Sequence, residues 1–261
     1  MRGWLLVEFC VLFVALPLAF FTLMWFGLFA PMIPTLLVAF VGCLLFLLFD
    51  RRFNRRHLWS ARSLREEGPR IAMFFIAGAI GMAGVVLLLW PEQFLAFPRR
   101  NTRIWAIIMI AYPVFSVYPQ ELVYRAFLFH RYRPLFRSEA GLILASAGAF
   151  GLMHIVFQHW LSVAMTFAGG LLFAWTYARS RSMLAATVEH ALYGCFVFTV
   201  GLGTFFYSGG ARERVNGRYE QAAVAPMPDP SQAVDARLEP VVLLERIAPE
   251  GVDPRAPRGG A

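Results

Sequence analysis

The stretch VYPQELVYRAFLFHRY, Val117 to Tyr132, places Glu121 and Arg125 four residues apart in a run otherwise rich in aromatic and aliphatic side chains. On a soluble helix such a pair is ordinary. Inside a bilayer it is costly, so its meaning depends on what surrounds it. Composition supplies the surroundings: 59% of the 261 residues are hydrophobic and 15% charged, with a mean hydropathy of +0.59. That balance belongs to an integral membrane protein.

Outward from this stretch, apolar runs long enough to cross a bilayer fall at about 4–28, 31–49, 71–91, 104–129, 140–157, 160–178 and 183–207. A span needs about 20 residues at a rise of about 1.5 Å each. The expected fold is an all-α polytopic bundle of about seven transmembrane helices over 1–207. From Ser208 the composition turns to Gly, Pro, Ala, Arg and Glu, which cannot bury enough apolar area to offset chain entropy, so 208–261 is expected to be a flexible polar tail. The run from Trp4 is longer than a signal-peptide core and lacks an evident cleavage site, so it reads as a retained first helix.

Lysine and arginine number 24 against 16 acidic residues. The excess sits in short clusters between apolar runs: the Asp50–Arg70 loop, HRYRPLFR from His130 and ARSRS from Ala178. These are cytoplasmic if the spans alternate from an inside N-terminus, and they speak for a lipid bilayer rather than nucleic acid as the partner. Arg99, Arg100 and Arg103 then fall outside and break the rule. Cys10, Cys43 and Cys195 lie in apolar runs without CxxC spacing and read as small buried hydrophobes. Gly78, Gly81 and Gly84 read as small residues that let helices approach.

Within the spans the ionisable residues are few: Glu8, Glu121, Arg125, His154, Glu189 and His190, with His159 at a turn. Counted from one membrane face at about 1.5 Å per residue, Glu121, His154 and His190 lie roughly 15, 21 and 13 Å deep. A carboxylate and two imidazoles from three helices thus reach a similar level. Two readings compete at each position. Glu121 and Arg125 can be a self-neutralising i,i+4 pair, and a lone histidine can be a helix-contact hydrogen bond. Three such residues at one depth favour a functional site. Glu66 and Arg70 share the glutamate-to-arginine spacing, but with charged neighbours and Pro69 they read as a solvated loop. Glu189, about 100° around its helix from His190, reads as a supporting hydrogen bond or neighbouring-helix contact.

Three motifs then appear in order: QELVYR from Gln120 to Arg125, FGLMH from Phe150 to His154, and HALYG from His190 to Gly194. The set is similar to EExxxR, FxxxH and a histidine followed four residues later by asparagine in the CAAX protease and bacteriocin-processing family, also called Abi or CPBP. The likeness covers roughly 117–200, within a family-like core of about 104–207. Two positions depart: Gln120 stands where the family has its first glutamate, and Gly194 where it has asparagine.

The resemblance implies an intramembrane endopeptidase acting on a membrane-associated protein or peptide, most often in a bacterial inner membrane. It implies Glu121, with His154, as the base for water in place of the glutamate missing at Gln120. His190 is the implied oxyanion donor and Arg125 the residue that orients Glu121; Gln120, by its side-chain inventory alone, has an amide that can hydrogen-bond substrate or transition state. No cofactor is expected in this reading. The alternative uses zinc on Glu121, His154 and His190, a His₂Glu set without HExxH spacing. Two other classes stay open: a catalytically inactive member that binds a membrane partner, favoured by Gln120 and Gly194, and a proton- or ion-coupled transporter, disfavoured by the lack of an inverted repeat.

Overall fold

The computed structural model describes residues 2–26, 28 and 31–206. The tail expected over 208–261 lies outside the described residues. Within them every regular element is helical, and seven helices are long and apolar enough to cross a membrane. They are α1 (Arg2–Trp25), α2 (Met32–Phe49), α3 (Arg55–Leu89), α4 (Thr102–Arg131), α5 (Glu139–Phe157), α6 (Trp160–Ser180) and α7 (Met183–Val200). The expected all-α bundle of seven spans is what is found.

Side chains at the turns explain where several helices start. Asn101 accepts from the Ile104 amide at 3.2 Å, Ser138 from Gly141 at 3.1 Å and Ser182 from Ala185 at 3.4 Å. Each satisfies one of the amides that a helix N-terminus leaves without a partner. His159 does the same through Nδ1 for Leu161 at 3.2 Å, which accounts for its position at the turn before α6.

The opening stretch is the centre of the bundle. From Glu121 to Phe129 every residue of α4 is buried, because α2, α5 and α7 pack around it. A helix apolar on all faces belongs in such a place. Pro113 and Pro119 lack the amide hydrogen an α-helix needs, and α4 widens into π turns at Pro113–Val117 and Leu122–Phe127. Those turns flank Tyr118–Glu121. On the outside of the bundle, Val38, Phe49, Leu88 and Ile110 are exposed, as lipid-facing side chains are.

α1 is tied to this core by its acidic residue. Glu8 accepts from Arg131 at 3.1 and 2.8 Å and from the Tyr132 hydroxyl at 2.9 Å, while Phe13 packs into the central cluster.

Four expectations need correction. The loop read over Asp50–Arg70 is helical from Ala61, because Ser60 caps the start and Arg62–Glu66 and Arg70–Glu67 pair along it at 2.9 and 2.7 Å. The last span stops at Val200 rather than 207: Gly201 turns the chain at φ 114°, and a short 3₁₀ segment, Leu202–Phe206, follows. Cys10 is exposed, while Cys43 and Cys195 are half-buried. Of the three glycines in α3, a Cβ on Gly78 would meet the Tyr193 ring at 2.8 Å, whereas Gly81 and Gly84 have no such neighbour within 4 Å.

Candidate active site

Three helices, α4, α5 and α6, bring side chains to His190 on α7. His190 Nδ1 lies 2.9 Å from Glu121 Oε1, and the carboxylate itself is wholly enclosed. An ionised carboxylate only accepts, so the shared proton sits on Nδ1. Glu121 Oε2 is 3.3 Å from Arg125 Nε, an ion-pair distance without hydrogen-bond alignment. Arg125 donates from Nη1 to Ser146 at 3.2 Å, and Ser146 donates to the Tyr124 carbonyl at 2.8 Å. The guanidinium also lies 4.9 Å above the Phe150 ring. A buried cation over an aromatic face gains from the ring quadrupole, which helps hold Arg125 where water cannot reach.

His154 comes to the same place from the end of α5. The helix breaks there into a 3₁₀ turn, and the imidazole folds back so that Nδ1 bonds the Phe150 carbonyl at 2.7 Å. A carbonyl accepts, so Nδ1 carries the hydrogen and Nε2 keeps its lone pair. The bond also satisfies one of the carbonyls left open at a helix C-terminus. Phe150 stands between the two histidines, 4.7 Å from the His154 ring and 5.4 Å from the His190 ring. Phe173 stacks on a face of His190 at 4.6 Å, while Phe150 meets that ring edge-on.

His154, His190 and Gln120 line one cavity of about 1240 Å³, whose walls are mostly apolar side chains from all seven helices. That is larger than the roughly 300–1,000 Å³ of ordinary small-molecule sites. Glu121 and Arg125 are not among its lining residues; they stand behind His190. Gln120 donates to Ser116 at 2.8 Å, and its Oε1 is buried without a hydrogen-bond partner. Tyr112 also lines this space, its hydroxyl 3.3 Å from His190 Nε2.

Residues 101–196 match the family described as type II CAAX prenyl endopeptidase, Rce1-like. The Rce1-like segment runs from the start of α4 into α7, and all three motifs lie in it, in agreement with the resemblance drawn from the sequence. No curated protein and no solved structure matches the chain. The Rce1-like segment and the seven apolar helices together describe an integral membrane protein with protease relatives.

The sequence-expected residues are thus brought together as two units. Glu121, Arg125 and His190 form a contiguous buried chain, and Gln120 and His154 face the cavity into which His190 opens. The zinc alternative calls for Glu121, His154 and His190 on one ion: Glu121 Oε1 is bonded to His190 Nδ1, and the described residues hold no group of three His, Cys, Asp or Glu side chains placed to share a metal.

Sequence reading missed Tyr112, Phe150 and Phe173 as parts of the site. Phe150 had a signal, being the first letter of its motif. Tyr112 had none, since a tyrosine in an apolar run reads as an aromatic anchor.

Glu189 turns to another face of α7. Thr176 donates to its Oε2, and Arg70 from α3 comes within 3.8 Å of Oε1. Arg70 also donates to Thr176, pairs with Glu67 and lies 4.5 Å above Trp175. This is the neighbouring-helix contact expected of Glu189, with an arginine from a stretch read as loop.

Proposed function

We propose that this chain is an intramembrane endopeptidase of the CAAX type, hydrolysing a peptide bond of a membrane-associated protein or peptide. What carries the reading is the convergence of two histidines, each with a partner that fixes its proton, on one large apolar cavity inside an Rce1-like segment. The cavity suits an extended chain bearing an apolar attachment, such as the prenylated tail named in the family's description.

In this reading the His154 Nε2 lone pair takes a proton from a water molecule as the water oxygen bonds to the scissile carbonyl carbon. The carbonyl electrons move onto oxygen, which faces the His190 side of the cavity. Collapse of the intermediate breaks the C–N bond, and His154 passes its proton to the departing amine. The products are one new carboxyl group and one new amine. Glu121 was expected to share the role of base with His154. Its enclosure behind His190 favours His154 as the base and Glu121 as the group that orients His190, with Arg125 balancing its charge. Gln120, held by its bond to Ser116, lines the same cavity.

A binding-only protein is the second reading, favoured by Gln120, an amide where the resemblance expects a carboxylate. The experiment compares membrane-proteome termini in cells carrying wild type, His154→Ala, Glu121→Ala or Gln120→Glu at matched expression. Termini present with wild type and lost with His154→Ala and Glu121→Ala support the peptidase. Identical termini from wild type and the alanine variants, with new ones from Gln120→Glu, support the binding protein. A transporter loses ion flux rather than termini when Glu121 is neutralised.

A further inference from the structure

The geometry points to Tyr112 as a catalytic residue of this chain: its hydroxyl is the donor to the oxyanion formed during hydrolysis, in a place vacated by the missing side chain of Gly194. The inference rests on the peptidase reading. Its ground is two observations on one side chain: the Tyr112 hydroxyl lies 3.3 Å from Nε2 of His190, 78 residues away in sequence, and its ring lies against the α7 backbone at Gly194. A Cβ built on Gly194 would come within 2.5 Å of the hydroxyl oxygen and 2.8 Å of the ring carbon that bears it. No L side chain other than glycine's hydrogen fits there while Tyr112 stays. The edge of Phe198, 5.2 Å away, holds the ring from a second direction.

Proton placement makes the phenol necessary. His190 donates from Nδ1 to Glu121, and in the neutral tautomer that carries this hydrogen Nε2 presents a lone pair to the cavity side. A lone pair cannot stabilise an anion. The Tyr112 hydroxyl donates to Nε2 at rest and can swing its hydrogen to a carbonyl oxygen arriving in the cavity, keeping its proton throughout. At rest His190 holds the hydroxyl in position, and Phe173 and Phe150 hold His190. The residue after Tyr112 is Pro113, where α4 opens into a π turn, and this fixes the tyrosine at the edge of a non-α segment.

The test uses the full chain in vesicles of phosphatidylethanolamine and phosphatidylglycerol with a fluorogenic prenylated CAAX peptide. Tyr112→Phe keeps the ring and removes the hydroxyl. The expected result is a fall in kcat of about 10²–10³-fold, the usual effect of losing one oxyanion donor, with KM nearly unchanged and thermal unfolding at the wild-type temperature. Gly194→Asn alone is expected to lower the folded yield, because Tyr112 fills the space. Combining Tyr112→Ala with Gly194→Asn is expected to cleave faster than Tyr112→Ala alone, since an amide donor then takes the vacated place. A Tyr112→Phe chain that keeps the wild-type kcat overturns the inference and leaves the peptidase standing. A wild-type chain that cleaves nothing removes the peptidase reading and the inference together.

Discussion

Glu189 and His190 are neighbours in sequence, yet they belong to two different polar clusters. His190 meets Glu121 and opens onto the cavity; Glu189 meets Thr176 and Arg70 and is not among the cavity-lining residues. Both clusters pair a buried carboxylate with an arginine, and both place that arginine over an aromatic ring. What separates them is access. One has an imidazole on the cavity lining, while the other is closed between α3, α6 and α7. Intramembrane charge is therefore not enough to mark a site: it can equally fasten helices, and the direction around the helix decides which.

The largest expected difference between the clusters is in chemistry. His154→Ala is expected to lower peptide cleavage by about 10²–10⁴-fold, the range for a lost general base, with little change in thermal unfolding. Rates on the prenylated peptide and unfolding scans of the same preparation check both halves. Removing the charge that balances Glu121 strikes the fold instead. Arg125→Leu leaves a carboxylate enclosed without its cation, and a loss of about 3–5 kcal/mol is expected, read from resistance to denaturation in detergent. Were Arg125→Leu to unfold at the wild-type point, the ion pair would not be holding α4 as described.

The second cluster is predicted to respond the opposite way. Glu189→Gln weakens the link to Arg70 and Thr176, with an expected cost of about 1–3 kcal/mol and cleavage by the folded fraction within about twofold of wild type. A rate loss as large as that of His154→Ala would erase the distinction.

The smallest effect is expected outside the bilayer. His130 donates to Asp50 at 2.9 Å, and this bond, with the Arg52 amide, holds the Asp50 carboxyl below its usual range. A depressed carboxyl gives stability that is full above its unfolded value and is lost as pH falls through the folded one. A slight drop in the unfolding temperature below about pH 4 is expected. Asp50→Asn should remove that pH dependence.

Much of this was legible in the sequence. Seven runs of apolar residues specify seven helices because a bilayer demands about 20 residues per crossing. The ordered motifs located Glu121, Arg125, His154 and His190, since few other charges lie in those runs. The rest depended on pairings remote in sequence. Arg70 read as loop because Pro69 and charged neighbours dominate locally, whereas its partners Thr176 and Glu189 lie a hundred residues away. Glu121 read as a base facing water because depth along a helix says nothing of which side is enclosed. Tyr112 was invisible because its meaning comes from the absence of a side chain at Gly194.

The most direct single measurement is the rate at which His154→Ala and Glu189→Gln, side by side in vesicles and corrected for folded protein, cleave a prenylated CAAX peptide that wild type cleaves. The account predicts that His154→Ala loses at least about 100-fold while Glu189→Gln stays near wild type. Equal rates from the wild-type and His154→Ala chains would contradict it.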